Sequence, residues 1–144
     1  MNEHQFKAIG LVTEAFEKHG IKFQICGTPE QGELIASFPI KGGPTVMVKY
    51  IVRGDENDIA VRIFGLLSRI PAEKRIRLLE ACNAVNREYR FLKFSMDMEG
   101  DINVDYDFLQ NCADACVGEM AYEICARTIN VLNEKYGLFA KALY

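Results

Sequence analysis

A chain of 144 residues with 49% apolar side chains and a net charge of -3 is long enough to bury roughly two-thirds of the surface its unfolded form exposes, so one domain over residues 1–144 is expected. The balanced composition excludes a disordered tail or a fibre and argues against nucleic acid as a partner. No apolar run approaches the ~20 residues that cross a bilayer, and the opening MNEHQFKAIG lacks the charged-then-apolar layout of a secretory signal, so a cytoplasmic protein without a membrane partner is expected.

Between residues 3 and 19, Phe6, Ile9, Val12, Thr13 and Phe16 recur at helical spacing, and Gly20 stands where a helix stops. Four strand-like runs follow, at 21–26, 33–38, 45–53 and 59–66, divided by GTPEQG, PIKGGP and GDEND. These connections hold the residues that turns require and are too short for parallel crossovers, which predicts an antiparallel meander. Gly42-Gly43-Pro44 is one of the turns: a phosphate cradle needs a helix directly after its glycines, and a strand follows. Val48, Tyr50 and Val52 mark one face of the third strand, yet Met47 and Ile51 on the other face are apolar, as are Ile59, Val61 and Ile63 next door. Both sheet faces therefore need cover, and helices gathered on one side would leave the other for self-association or a client segment.

A helix is predicted from Pro71 to Tyr89, with proline in its favoured first-turn position and a stripe of Ile76, Leu79, Cys82, Val85 and Tyr89. A longer one runs from about Asp114 to Tyr136 or beyond, with Val117, Met120, Ala121, Ile124, Thr128, Val131 and Leu132 as its stripe and Gly137 to end or bend it. Between them lies KFSMDMEGDINVDYDFL, residues 93–109. As a calcium loop it fails, because placing Gly100 sixth puts Ser95 first and Tyr106 twelfth, where an aspartate and a bidentate glutamate are required. Phe94, Met96, Ile102, Val104, Tyr106 and Phe108 instead alternate with polar residues as a strand pair does. The apolar positions on both arms are even-numbered, so facing partners sum to an even number. That excludes a two-residue Glu99-Gly100 loop and is satisfied by a three-residue loop of Met98, Glu99 and Gly100, opened by Asp97, with Gly100 left-handed. The register that follows sets Met96 against Ile102, Phe94 against Val104 and Leu92 against Tyr106. On the other face Lys93 meets Asp105 and Ser95 meets Asn103, with Asp97 unfavourably opposite Asp101.

Charge is locally bipolar, with eight acids and no base from Asp97 to Glu123 and seven bases against three acids from Arg69 to Lys93. The acids read as the hydrated side of a hairpin; the two regions partly neutralise each other, or the acidic face meets a basic partner. The five cysteines, Cys26, Cys82, Cys112, Cys116 and Cys125, are odd in number and read as reduced thiols. Cys112 and Cys116, four apart, would share a helix face, but two thiols fall short of the four ligands of a structural zinc site. The histidines are His4 and His19. A pairing of His19 with Cys26 has no third residue to orient the base, and Asp105 with Asp107, on one strand face, has no evident pocket to raise a pKa. No catalytic residue, metal or cofactor is assigned.

Asn83 and Asn86 share a helix face and suit backbone groups at the helix end or the following strand. The run LLEACNAVNREYRFLKFSMDMEGDINVDYDFL, from Leu78 to Leu109, resembles the YbjN family, in which a helix carrying a spaced pair of asparagines leads into a strand, a short acidic-glycine turn and a second strand. The resemblance implies an α+β fold similar to type III secretion chaperones: an antiparallel sheet in the order helix, four-strand meander, helix, β-hairpin, long C-terminal helix, which agrees with the order read from pattern. It points to Asn83, Asn86, Asp97, Gly100 and Asp105 as structural or contact residues of the motif. Family members are described as bacterial sensory transduction regulators, and the chaperones are dimers that bind other proteins, so the resemblance implies a protein-binding adaptor or chaperone-like regulator working as a homodimer. The alternative is a small-molecule or metal-responsive sensor using the cysteines or the acidic hairpin.

Overall fold

The computed structural model describes residues 6–54 and 58–144. Its elements run α1 (Lys7–Lys18), β1 (Gln24–Gly27), β2 (Gln31–Pro39), β3 (Thr45–Arg53), β4 (Asp58–Leu67), a 3-10 turn (Ala72–Lys74), α2 (Arg75–Glu88), β5 (Lys93–Met96), β6 (Ile102–Leu109) and α3 (Asp114–Leu143). The predicted α+β order holds. His4 and the start of the first predicted helix, with Asp55, Glu56 and Asn57 of the GDEND turn, lie outside the described residues.

Helix α1 ends as its sequence dictates. Gly20 adopts φ 72, its N–H reaches the Glu17 carbonyl at 3.1 Å, and the Ile21 N–H reaches that of Phe16 at 2.8 Å, the paired bonds by which a left-handed glycine satisfies a helix's last carbonyls.

The strands form one antiparallel sheet in the order β1-β2-β3-β4-β6-β5. Tyr50 pairs with Val61, and Ile63 with Val104. Ile59, Val61 and Ile63 therefore stand on the same face as Val48, Tyr50 and Val52, all of them buried. The apolar sets of the two strands thus share one face, which leaves Met47 and Ile51 on the other. Periodicity gives each strand's alternation, whereas the β3–β4 register decides which of its sets faces in.

The helices cover that buried face. Phe16 of α1 meets Tyr50 edge-on at 5.4 Å, and the Tyr50 hydroxyl donates to the Ala121 carbonyl of α3 at 2.6 Å. Gly118 sets the approach of α3 to α1: a Cβ there would lie 2.6 Å from the Leu11 carbonyl oxygen and 3.0 Å from the Ala15 Cβ.

One helix stripe is revised, and the extent of the last helix is now fixed. In α2 the buried residues are Leu78, Ala81, Cys82 and Val85, while Ile76 and Leu79 are exposed. Two candidate stripes share Cys82 and Val85, and the helix docks by the Leu78 side. In α3 the helix continues through Gly137 to Leu143. A glycine inside a helix costs about 1 kcal/mol. Phe139, fully buried and stacked on Phe94 at 5.0 Å, more than offsets this, since burying such a side chain contributes about 1.5–3 kcal/mol.

Candidate functional site

The asparagine helix and the acidic hairpin meet along the outer edge of β5. Phe94 faces Val104 in the ladder, but its backbone N–H and C=O point away from β6. Asn86 takes both: the Phe94 N–H donates to Oδ1 at 2.7 Å, and Nδ2 donates to the Phe94 carbonyl at 2.8 Å. One side-chain amide thus imitates a neighbouring strand on an edge that would otherwise present unpaired groups. Asn83, one turn earlier, is exposed. Lys93, though registered opposite Asp105, directs its ammonium to the Asn86 and Tyr89 carbonyls at 3.2 and 3.1 Å, where a cation complements the C-terminal end of α2.

At the tip, the Gly100 N–H bonds the Asp97 carbonyl at 3.0 Å and the Asp97 N–H bonds that of Asp101 at 2.9 Å, the three-residue loop that parity allows. Gly100 has φ 89, and a Cβ there would also come 2.8 Å from the Arg75 guanidinium. Asp97 does not repel Asp101. Its Oδ1 accepts the Glu99 and Asp101 N–H groups at 2.9 and 3.0 Å and its Oδ2 accepts Asn103 Nδ2 at 3.0 Å. These donors, the Asp101 N–H foremost, hold the carboxyl below the usual aspartate range. Asp97, Glu99 and Asp101 offer carboxylate oxygens within 4.8 Å of one another, but the bonds on Asp97 identify it as the cap of a turn.

The remaining acids are drawn together by a residue that the charge pattern had not singled out. Arg62 of β4 holds the Asp107 carboxylate through both terminal nitrogens, and its Nε lies 3.4 Å from Asp105. The counter-charge thus comes from the strand beside β6 rather than from the basic stretch 69–93. Partial burial raises the Asp105 carboxyl, with Asp107 adding to the shift and Arg62 opposing it. The fork lies on the sheet face away from the helices, as do Met47, Phe64 and Leu109, which are 53%, 54% and 61% exposed. A depression of 460 Å³ there is lined by Glu33, Ile51, Asp58, Arg62 and Phe64 among others, and Lys49 Nζ lies 5.6 Å over the Phe64 ring.

The model of the YbjN family, described as "Putative bacterial sensory transduction regulator", matches residues 9–115. The chain belongs to the YbjN family. The match reaches back into α1, further than the motif alone suggests, and ends at the second residue of α3. No curated protein matches the chain.

Chemistry suggested by other residue types is placed apart in this YbjN member. His19 stacks on Tyr122 at 3.6 Å and contacts Glu119 at 3.1 Å, so its ring is engaged with α3, while Cys26 lies exposed on β1. Cys112 precedes α3, which begins at Asp114, so Cys112 and Cys116 do not share a helix face as expected; the Ala113 N-cap adopts an extended conformation between them. Burial pushes the Cys82 thiol up to about 11 and the Cys125 thiol up to about 12, which suppresses the reactive thiolate. In a thiol titration of native protein, Cys26, Cys112 and Cys116 are expected to react first, and Cys82 and Cys125 only with unfolding. Rapid native labelling of Cys125 would contradict its place in the core. Among the described residues, no helix is long and apolar enough to cross a membrane.

Proposed function

We propose that this chain is a non-enzymatic, protein-binding regulatory adaptor, a single cytoplasmic domain that works as a homodimer and engages its partner through the open face of the sheet. The observation that carries the reading is Met47, Phe64 and Leu109, each more than half exposed on a face that no helix of the described residues covers, beside the Arg62 fork with Asp105 and Asp107. Apolar anchors ringed by charge suit protein recognition, the anchors supplying affinity and the charges orientation. The family description supports a regulatory role. The element order, similar to that of type III secretion chaperones, supports chaperone-like client binding. Free surface thiols at Cys26, Cys112 and Cys116 suit a reducing compartment. Asp97 and Asp105, with the Asn86 amide, are committed to turn, ion-pair and edge contacts, which favours binding over catalysis.

Light scattering over a concentration series should give twice the monomer mass, and tagged protein should recover a stoichiometric partner from its source cell. Met47→Glu with Phe64→Glu, both surface changes expected to alter stability by about 0.5 kcal/mol or less each, should abolish one or both associations without lowering the melting temperature. A wild-type monomer whose recovered partners are the same with the double variant would refute the reading.

A further inference from the structure

A second site lies on the helix-bearing side. A cleft of 400 Å³ opens where the loop after α2 meets the middle of α3, with Tyr89, Arg90, Phe91, Tyr106, Arg127 and Asn130 in its lining. Phe91 adopts φ 72, a left-handed backbone that a bulky L-residue rarely accepts. That strain is not offset by burial, because the ring is 63% exposed. It holds Phe91 stacked on Tyr106 at 5.9 Å and 29°, with the Arg90 guanidinium 6.0 Å over its ring, and so presents a flat aromatic surface at the mouth of the cleft.

The polar groups divide by sign. Both acids of the lining are engaged: Glu134 accepts the Tyr89 hydroxyl at 2.5 Å, and Glu88 pairs with Lys135 at 2.8 Å. The donors are held more loosely. Among the described residues, the side chains of Arg90 and Asn130 donate to no other group, and the nearest carboxylate to Arg127 is Glu123 at 3.8 Å. What the cleft offers a ligand is therefore stacking surface with two guanidiniums and an amide as donors, beside a Glu134 carboxylate that keeps its charge because its partner, the Tyr89 hydroxyl, is neutral.

We propose that this cleft binds a small aromatic anion, its planar ring stacked on the Phe91–Tyr106 pair and its carboxylate or phosphate accepting hydrogen bonds from Arg90, Arg127 and Asn130. The volume falls within the roughly 300–1,000 Å³ typical of small-molecule sites, and guanidinium forks match both anions. The site uses neither the cysteines nor the carboxylates of the acidic hairpin, from which Tyr106 alone contributes, and it stands apart from the protein-binding face.

Isothermal calorimetry with AMP and indole-3-acetate tests it, with adenosine and indole as rings without charge, and phosphate and acetate as charges without a ring. At least one aromatic anion should bind saturably at submillimolar concentration, and both of its fragments should bind at least about tenfold more weakly, the scale of one lost charge-assisted contact. The phosphate and carboxylate arms identify which anion is preferred. Arg90→Ala with Arg127→Ala should lower affinity by about tenfold per guanidinium. Phe91→Gly should also weaken binding while the melting temperature holds or rises, because glycine accepts the left-handed backbone; a merely structural Phe91 would instead leave binding intact. Met47→Glu with Phe64→Glu should leave the affinity unchanged, which separates this site from the partner face. Failure of both probes to saturate, or binding that survives both cleft variants, overturns the proposal.

Discussion

Phe139→Ala is expected to lower the unfolding free energy by about 3–5 kcal/mol, the range for truncating a fully buried phenylalanine. Phe139 sits beyond a helical glycine, near the end of the chain, where a shortened final helix would leave it dispensable. In the structure it is fully buried and stacks on Phe94 at 5.0 Å with 23° between the rings, so its removal opens a cavity between α3 and the hairpin. Denaturant melts at constant slope would measure the loss. A double-mutant cycle with Phe94→Ala should show coupling of about 0.5–1.5 kcal/mol from the stacked pair. A loss under about 0.5 kcal/mol, what an ordinary surface change costs, would mean that the last two turns of α3 do not belong to the core.

Asn86→Ala should cost about 2–4 kcal/mol, because it strands a partly buried N–H and C=O, each worth about 1–3 kcal/mol when left without a partner. Asn83→Ala, at an exposed position, should stay within about 0.5 kcal/mol. The same melts measure both. Equal effects at the two positions would remove the distinction between an edge-capping asparagine and a solvent-facing one. Should Asn83→Ala leave stability untouched yet weaken partner recovery, the exposed member of the pair would be the contact residue.

The parts of this fold legible in the sequence are those governed by near neighbours. The hairpin register from Lys93 to Met96 was readable to the residue, because side chains alternate with period two and even parity on both arms excludes a two-residue loop. The helix-ending role of Gly20 was readable from its place after Phe16. What escaped depends on elements distant in the chain. Ile76 and Leu79 looked like core since they continue the spacing of Cys82 and Val85; the choice between stripes rests on how α2 lies against α3 and β5. Arg62 gave a faint local signal, a lone cation in the apolar run IAVRIFGL. Its acidic partners became evident only once β6, rather than β5, was found beside β4. Lys93 was assigned to Asp105 by register, although a long side chain at an edge reaches the free carbonyls of a helix end instead. The cleft at Phe91 left no periodic trace, because its lining combines a loop, a strand and a helix.

The contact set by Gly118 has a consequence for biosynthesis. Helix α1 is made near the start of the chain and α3 at its end, yet each packs against the other over the sheet. While the ribosome is still delivering α3, Tyr50 and Phe94 lack the part of their cover that Ala121 and Phe139 supply, so the nascent chain displays them to holdases and to other nascent chains. Closure between such distant segments also slows the search for the native state, so the yield of active protein should depend on chaperone supply during translation more than its final stability alone would suggest.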